Sequence, residues 1–103
     1  MKSREPVWST AARADLFAHH DYIARDNPLG ADRFFLDIYR KVERYSRTGL
    51  TGTNRGEFGN GIRGFSYRQR VIFFTVSDTA LTILRVVHGH QDISPDFFKT
   101  DEN

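Results

Sequence analysis

The chain has 103 residues, a formal net charge of +2 and no cysteine. Its length fits one domain with a modest core, and its 14% aromatic content argues against disorder. Without cysteine, neither a disulfide framework nor thiolate chemistry is possible. The amino terminus lacks the apolar segment of a signal peptide, and no apolar run approaches a membrane span. We therefore expect a cytoplasmic protein without a membrane partner, with one domain over residues 1–103 and a flexible tail over residues 94–103.

The amino-terminal segment predicts a short strand followed by a helix. Glu5 to Trp8 is expected to be extended and to lie at a sheet edge, because Pro6 cannot donate to a β-ladder. Ser9 or Thr10 is a suitable N-cap for a helix that runs to about Asp26. The alanines of this segment favour the helical conformation.

A second helix has the clearest pattern in the chain. Its apolar residues recur at helical spacing and form one wide stripe. The stripe consists of Ala31, Phe34, Phe35, Ile38, Val42 and Tyr45. Asn27-Pro28 separates the two helices and predicts an antiparallel helix hairpin, because the residue before a proline avoids the α region. The apolar side of this hairpin must pack on another layer, and the sheet that follows is the candidate.

The stretch from Thr48 to Gly61 is rich in glycine and predicts a flexible connector, with one helical turn at Glu57-Phe58. It lacks the Gly-Lys-Ser/Thr ending of a phosphate-binding P-loop. Two-residue breaks then join three strands into an antiparallel meander. We expect these strands at Ile62 to Tyr67, Arg70 to Ser77 and Ala80 to His90. The fold class is therefore α+β, with a short strand and a helix hairpin packed on one face of a carboxy-terminal antiparallel β-meander.

The third strand of the meander is expected to be central. Leu81 to Val87 is apolar and β-branched almost throughout, which is typical of a strand that is covered on both faces. Arg85 interrupts the run, and its guanidinium needs a partner. We expect Asp92 or backbone carbonyls to supply it, which would make Arg85 structural more than catalytic. Strict alternation places Arg85 on the same face as Ile83 and Val87.

The sheet has a second apolar face that the helix hairpin cannot cover. This face is either a docking surface for a partner or is covered by the tail through Phe97 and Phe98. The sequence leaves both alternatives open. Together with Phe73, these two residues are our aromatic candidates for partner binding.

Arginines concentrate in the second half of the chain. Arg63, Arg68 and Arg70 could meet acidic residues of a partner, and a basic sheet face could also stabilise the charge of a phosphorane during RNA cleavage. For Arg68 and Arg70 we favour the interpretation of solvated charge near a hairpin.

Histidines form one short cluster after the central strand. His88, His90 and Asp92 alternate, but a metal site would need a distant ligand that this cluster lacks, so no metal site is predicted. His88 could act as a general acid or base. His19 and His20 lie in the first helix and have no pattern that suggests a function.

Four segments, in this order and spacing, carry a family resemblance. They are Val7-Trp8-Ser9, Tyr22-Ile23-Ala24 with Asn27-Pro28, Gly61-Ile62-Arg63, and Ile83 to Gly89 with Asp92. Together they resemble the RelE/ParE toxins of type II toxin–antitoxin systems, and specifically the ParE (plasmid stabilisation) branch. The resemblance implies a cognate ParD-like antitoxin, a toxin–antitoxin hetero-oligomer and inhibition of DNA gyrase by binding. We expect no cofactor and no sequence-specific DNA binding by the toxin alone.

The RelE branch of the same fold consists of ribosome-dependent messenger-RNA endonucleases, so the target stays open. For that alternative, the candidate catalytic residues are Arg63, Arg85 and His88. Two departures weaken it: no tyrosine follows Tyr67, and Lys99 is the only lysine after Lys41. For inhibition by binding, we expect no catalytic residue. The partner-binding candidates are then Arg63, Arg68, Arg70, Phe73, Arg85, Phe97 and Phe98.

Overall fold

Two helices lie against a five-stranded mixed sheet in the computed structural model, which describes residues 3–89. In chain order the elements are β1 (Glu5–Trp8), α1 (Thr10–Ala24), α2 (Pro28–Thr48), β2 (Thr53–Asn54), a 3-10 turn (Gly56–Phe58), β3 (Arg63–Tyr67), β4 (Arg70–Val76) and β5 (Ala80–His88). The strand order across the sheet is β1-β5-β4-β3-β2. The predicted α+β class, the helix hairpin, the meander and the central position of β5 are confirmed.

The sheet is mixed because β1 pairs parallel to β5, whereas the other neighbours are antiparallel. A parallel pair needs a long crossover between its strands, and here the helix hairpin is part of that crossover. As predicted, β1 lies at an edge of the sheet. The sequence analysis did not foresee its parallel direction.

Both helices begin at the residues that the sequence indicates. The Ser9 side chain accepts a hydrogen bond from the backbone N–H of Ala12. Asn27 precedes Pro28, the first residue of α2, and its side chain accepts a hydrogen bond from the backbone N–H of Gly30. Helix α1 ends at Ala24, two residues before the predicted end. Each cap satisfies an N–H group that has no partner within its helix.

The main core lies between the helices and one face of the sheet. The apolar stripe of α2 supplies Phe34, Ile38 and Val42, which are buried there. The other buried members of this core are Ala12, Leu16, Phe65, Ile72, Phe74, Leu81, Ile83 and Val86. Burial of such side chains contributes about 1.5–3 kcal/mol each relative to exposure, so this layer fixes the hairpin on the sheet.

The opposite face of the sheet holds a smaller cluster of buried residues, formed by Ile62, Phe73 and Val87. Phe58 of the 3-10 turn packs edge-to-face on Phe73, with 5.5 Å between the ring centroids. The guanidinium carbon of Arg55 lies 5.0 Å from the centroid of the Phe58 ring. The predicted flexible connector is therefore wrong in part, because its residues form strand β2 and help to cover this face. The helical turn predicted at Glu57-Phe58 is confirmed.

A close backbone contact holds this connector on the sheet. Gly52 has a φ of +60°, and a Cβ atom there would lie 2.5 Å from the carbonyl oxygen of Gly64. Only glycine combines the left-handed conformation with this approach. The loop can therefore lie flat on β3 and bring β2 into the sheet.

A β-bulge interrupts the alternation of β5. Phe73 pairs with Arg85 and the next residue, Phe74, pairs with Ile83, so Leu84 is the additional residue on β5. Ile83 consequently packs in the main core, whereas Val87 packs in the cluster on the opposite face. The predicted shared face for Ile83 and Val87 is wrong, because the extra residue shifts the alternation by one.

Of the helices in the described part of the chain, none combines the length and apolarity that crossing a membrane requires.

Candidate functional site

Arg85 forms a bidentate ion pair with Asp15 of α1. Its Nε donates to Oδ2 at 2.7 Å, and its Nη2 donates to Oδ1 at 2.9 Å. The side chains of Arg85 and Asp15 are only 17% and 16% exposed. The same carboxylate also accepts a hydrogen bond from the backbone N–H of Val86 at 3.0 Å. The pair thus connects the middle of α1 to the bulged part of β5.

Asp15 is a partner of Arg85 that the sequence did not suggest. Asp92 lies outside the described residues, and no local pattern indicates that a residue 70 positions earlier would pair with Arg85. A guanidinium held at both ends by one carboxylate has strong directional bonds, which is typical of an arginine that organises structure.

Arg63 is engaged with the connector between α2 and β3. Its Nε donates to the carbonyl oxygen of Thr51, and its Nη2 lies 3.5 Å from the carbonyl oxygen of Gly52. These bonds hold the turn that precedes β2. The contacts of Arg63 therefore resemble those of Arg85, since both guanidinium groups bind the protein itself.

The three residues of the nuclease alternative do not converge. Arg63 is opposite Phe74, which in turn is opposite Ile83. His88 lies five residues beyond Ile83 along β5, which corresponds to a distance of about 13 Å or more at about 3.3 Å per strand residue. Arg85 lies between them, bound to Asp15. The structure therefore separates the arginines from His88 instead of placing them around one reacting group.

His88 lines a different site, at the end of the sheet beside α1. We call it the α1 cleft; it has a volume of about 270 Å³. Its lining residues are Ala18, His19, Tyr22, Arg70 and His88. His88 is directly opposite Arg70 in the β4–β5 ladder, so strand pairing fixes these two residues side by side.

Arg70 is a half-buried member of this cleft. Its Nε donates to Nδ1 of His19 at 3.0 Å, and its guanidinium carbon lies 4.7 Å from the centroid of the Phe34 ring. Within residues 3–89, no carboxylate forms an ion pair with Arg70. Our interpretation of Arg70 as a solvated hairpin charge is therefore wrong, since an aromatic ring and a neutral imidazole nitrogen hold it.

His19 has a defined tautomer in this arrangement. Nδ1 accepts the bond from Arg70, so the proton lies on Nε2, which is 3.3 Å from the carbonyl oxygen of Val86. Burial lowers the pKa of His19, and the positive charge of Arg70 lowers it further. His19 is therefore a neutral imidazole at neutral pH.

The sequence analysis treated His19 as ordinary and missed this role. The available signal was the helical spacing of Asp15, His19 and Tyr22, which places all three on one side of α1. That side faces the part of the sheet that carries Arg85, Arg70 and His88.

Arg68 lies at the β3–β4 turn with a φ of +55°. Its Nε donates to the hydroxyl of Tyr67 at 3.1 Å, and its guanidinium carbon lies 5.4 Å from the centroid of the same ring. The Tyr67 hydroxyl donates to Asp37 of α2 at 2.5 Å. Burial and the hydrogen bond to Asp37 raise the pKa of Tyr67.

A second basic cleft begins at Tyr67. This α2 cleft has a volume of about 390 Å³. Its lining residues are Asp37, Arg40, Lys41, Arg44 and Tyr67. Tyr67 is opposite Arg70 in the β3–β4 ladder, so strand pairing places a residue of the α2 cleft beside a residue of the α1 cleft.

The aromatic candidates for partner binding have different outcomes. Phe73 has no exposed surface, so in this structure it is a core residue and offers nothing to a partner. Phe58 of the 3-10 turn packs on Phe73, a cover that neither alternative of the sequence analysis included. Phe97 and Phe98 lie outside the described residues.

Exposed apolar surface lies instead on the outer side of the helix hairpin. An outer groove of about 430 Å³ is lined by Phe17, His20, Asp32, Phe35 and Leu36. Phe17 is 57% exposed and Leu36 is 51% exposed. Nε2 of His20 lies 3.0 Å from Oδ1 of Asp32, which joins α1 and α2 across this groove.

For metal binding, the structure describes only His88 of the three residues in the His88, His90 and Asp92 cluster. Among residues 3–89, no group of three or more metal-ligating side chains is close enough to hold an ion.

Comparison with known protein families identifies one matching family. Residues 7–93 match the sequence model of the family described as ParE toxin of type II toxin–antitoxin system, parDE. No curated protein matches the chain significantly.

Two solved structures have a similar fold. A chain of the chromosomal ParDE toxin–antitoxin system from P. aeruginosa is 24% identical with a TM-score of 0.69, and the match covers 82% of this chain and 95% of that one. A chain of the toxin–antitoxin complex RelBE2 from Mycobacterium tuberculosis is 22% identical with a TM-score of 0.61. This match covers 85% of this chain and 93% of that one.

Proposed function

Because the chain belongs to the ParE toxin family of type II toxin–antitoxin systems, we propose that it inhibits DNA gyrase by binding and is neutralised by a cognate antitoxin. The main support is the separation of Arg63, Arg85 and His88. An RNA-cleaving enzyme needs a base, an acid and a cation around one phosphate. Here both arginines bind other groups of the protein, which favours a toxin that acts without its own catalytic chemistry.

A gyrase supercoiling assay tests this proposal. We expect the purified toxin to inhibit supercoiling or to accumulate cleaved DNA complexes, and to leave messenger RNA on programmed ribosomes intact. His88→Ala is the control, because loss of an imidazole should change little in an inhibitor that does not use acid–base catalysis. Normal gyrase activity at a large excess of folded toxin would contradict the proposal.

One observation supports RNA cleavage as a second candidate function. His88 lies beside Arg70 in the α1 cleft, together with a neutral His19, so two imidazoles and one guanidinium line the same small site. A general acid or base typically contributes about 10²–10⁴ in rate. If the toxin cleaves ribosome-bound messenger RNA, His88→Ala should lower the cleavage rate by a factor of that order. Cleavage that this change abolishes would overturn the gyrase proposal.

The antitoxin is proposed to bind with an amphipathic segment in the outer groove. Both solved relatives come from toxin–antitoxin systems, and this groove exposes Phe17 and Leu36 between two helices. A helix that buries its apolar side in such a groove is a common recognition mode. The segment would be disordered alone and would order on binding.

Leu36→Ser and its matched control Leu29→Ser test whether the antitoxin binds in the outer groove. Leu36 lines the groove, whereas Leu29 is 76% exposed and does not line it. We expect Leu36→Ser to weaken antitoxin binding by about ten-fold or more, since a buried leucine contributes about 1.5–3 kcal/mol. Leu29→Ser should leave the affinity unchanged, as measured by calorimetry with the co-expressed partner. Equal losses in both variants would exclude the outer groove.

A further inference from the structure

The end of the sheet that carries the β3–β4 turn combines basic side chains with aromatic rings. Arg70 packs on Phe34 and Arg68 packs on Tyr67. A third arginine, Arg25, has its guanidinium carbon 6.0 Å from the centroid of the Tyr22 ring. Tyr22 is 69% exposed and lines the α1 cleft.

The basic surface continues past the turn into the α2 cleft. Arg40, Lys41 and Arg44 line that cleft together with Tyr67, which is opposite Arg70 in the β3–β4 ladder. Among residues 3–89, Asp37 is the one acid that lines it, and its carboxylate accepts a hydrogen bond from Tyr67. We call the two clefts and the Tyr67–Arg68 pair the basic track.

We infer that the basic track is a binding site for the phosphodiester backbone of a single-stranded nucleic acid, with Tyr22 stacking on a base. Cationic side chains that follow a groove and exposed aromatic rings beside them are the two elements of sequence-independent single-strand binding. An acidic peptide would use the same cations, but it would gain little from the exposed ring of Tyr22. The alternation of arginines and rings therefore favours a nucleic acid.

The arginines of the track differ from Arg63 and Arg85 in what they bind. A guanidinium has five N–H donors. Arg70 uses Nε for His19, and Arg68 uses Nε for Tyr67. The rings of Phe34 and Tyr67 hold these planar groups in place without neutralising them. A phosphate that approaches either arginine meets a positioned cation and loses no existing ion pair within residues 3–89.

The size of the α1 cleft limits what it can hold. Its volume of about 270 Å³ lies just below the range of about 300–1,000 Å³ that encloses drug-sized ligands. One phosphate with part of a sugar or base fits this space better than a whole free cofactor. A strand that continues past the turn would place further phosphates in the α2 cleft.

This inference goes beyond gyrase inhibition, because it concerns direct contact between the toxin and a nucleic acid. It also differs from RNA cleavage, since binding to the track requires no acid or base. The test below needs neither gyrase nor antitoxin, so its outcome and that of the supercoiling assay are independent.

Fluorescence anisotropy with the full chain and a labelled oligothymidylate of about twelve nucleotides tests the site. We expect binding at low salt that weakens steeply as salt rises. Arg68→Gln and Lys41→Gln should each reduce the slope of log affinity against log salt by about 0.7, the value for one phosphate contact of a single strand. Tyr22→Leu should weaken binding about five-fold or more through lost stacking.

Arg13→Gln is the matched control, because it removes the same charge elsewhere. Arg13 is exposed on α1 and lies nine residues before Tyr22, which at about 100° per residue places it on the opposite side of the helix. The control should leave affinity and slope unchanged. Arg68, Lys41 and Tyr22 are outside the buried core, so these variants should fold, and circular dichroism checks this.

Four results would overturn the inference. The first is the absence of binding at low salt. The second is an equal loss in Arg13→Gln and Arg68→Gln, which would indicate attraction by net charge alone. The third is equal affinity for poly-glutamate and oligothymidylate together with no effect of Tyr22→Leu, which would indicate a docking surface for acidic peptides. Tighter binding of a duplex of the same length would exclude the single-strand form of the proposal.

Discussion

Two places in the sheet differ in how they hold an arginine: the middle of β5, and the end of the sheet where β4 begins opposite His88. In the middle, Asp15 binds Arg85 with two charge-assisted bonds and leaves both side chains mostly buried. At the end, Arg70 lies on the Phe34 ring and donates to the neutral nitrogen of His19. The first arrangement neutralises the cation, whereas the second positions the cation and keeps its charge available. We conclude that Arg85 organises the fold and that Arg70 is suited to recognise an anion.

The largest expected effect on stability comes from breaking the ion pair between Arg85 and Asp15. Arg85→Ala should lower the free energy of unfolding by about 3 kcal/mol or more, because it leaves the carboxylate of Asp15 without its cation. Asp15→Ala should have a similar cost, since it also removes the acceptor for the backbone N–H of Val86. Urea denaturation measures both changes.

A double variant separates ion pairing from packing at this position. Asp15→Leu combined with Arg85→Met should recover much of the lost stability, since it leaves no unpaired charge. An Arg85→Ala variant that keeps full stability but loses toxicity would contradict a structural role for Arg85. Arg85 would then belong to a functional site, and the contrast with Arg70 would fail.

The next effect concerns the bulge beside this pair. The Ser9 hydroxyl donates to the carbonyl oxygen of Leu84 at 2.8 Å and also accepts from the Ala12 N–H, so it serves both α1 and the extra residue of β5. Ser9→Ala should cost about 1–2 kcal/mol, the upper half of the range for an N-cap. Asn27→Ala removes the cap of α2 and is the comparison, with an expected cost of about 1 kcal/mol. Equal costs by thermal or urea unfolding would show that the bond to Leu84 adds nothing.

A smaller loss of stability is expected when Arg70 is replaced. Arg70→Met should cost less than about 1 kcal/mol, because a partly exposed cation–π contact contributes about 0.5–1 kcal/mol and the methionine side chain keeps some packing on Phe34. The same urea titrations give this value beside that of Arg85→Ala. A loss as large as that of Arg85→Ala would remove the distinction between the two arginines.

The smallest effects are expected from two neighbouring histidines with opposite shifts. Burial lowers the pKa of His19, so the unfolded state binds a proton more readily than the folded state. The contribution of His19 to folding stability is therefore present above its unfolded pKa of 6.5 and is lost as the pH falls below that value. The hydrogen bond to Asp32 raises the pKa of His20. The contribution of His20 to folding stability is therefore present below pH 6.5 and is lost as the pH rises through the pKa of the folded state.

NMR titration of the imidazole signals measures both values directly. His19 should titrate below 6.5 and His20 above it. Arg70→Met should raise the pKa of His19, because it removes a nearby positive charge, and it should leave that of His20 unchanged. A lack of response in His19 would indicate that Arg70 does not interact with it in solution.

The sequence by itself determined the elements of the fold. The stripe from Ala31 to Tyr45 defines α2, and apolar runs with two-residue breaks define the meander. These patterns are local, because periodicity and turn chemistry act over a few neighbouring residues. The same local evidence showed that Arg85 needs a partner and that Pro6 belongs at an edge. The family resemblance also followed from segments of a few residues each.

Only the tertiary structure decided which distant residues meet. Asp15 reaches Arg85 across 70 positions, and Arg70 reaches His19 across 51. The bulge at Leu84 reversed the expected face of Val87, and Phe58 covered a face that the pattern left open. The physical reason is that a single extra residue, or the path of one glycine-containing loop, changes the surroundings of a side chain without changing its local pattern. The basic track also depends on these long-range contacts, since its residues come from both helices and three strands.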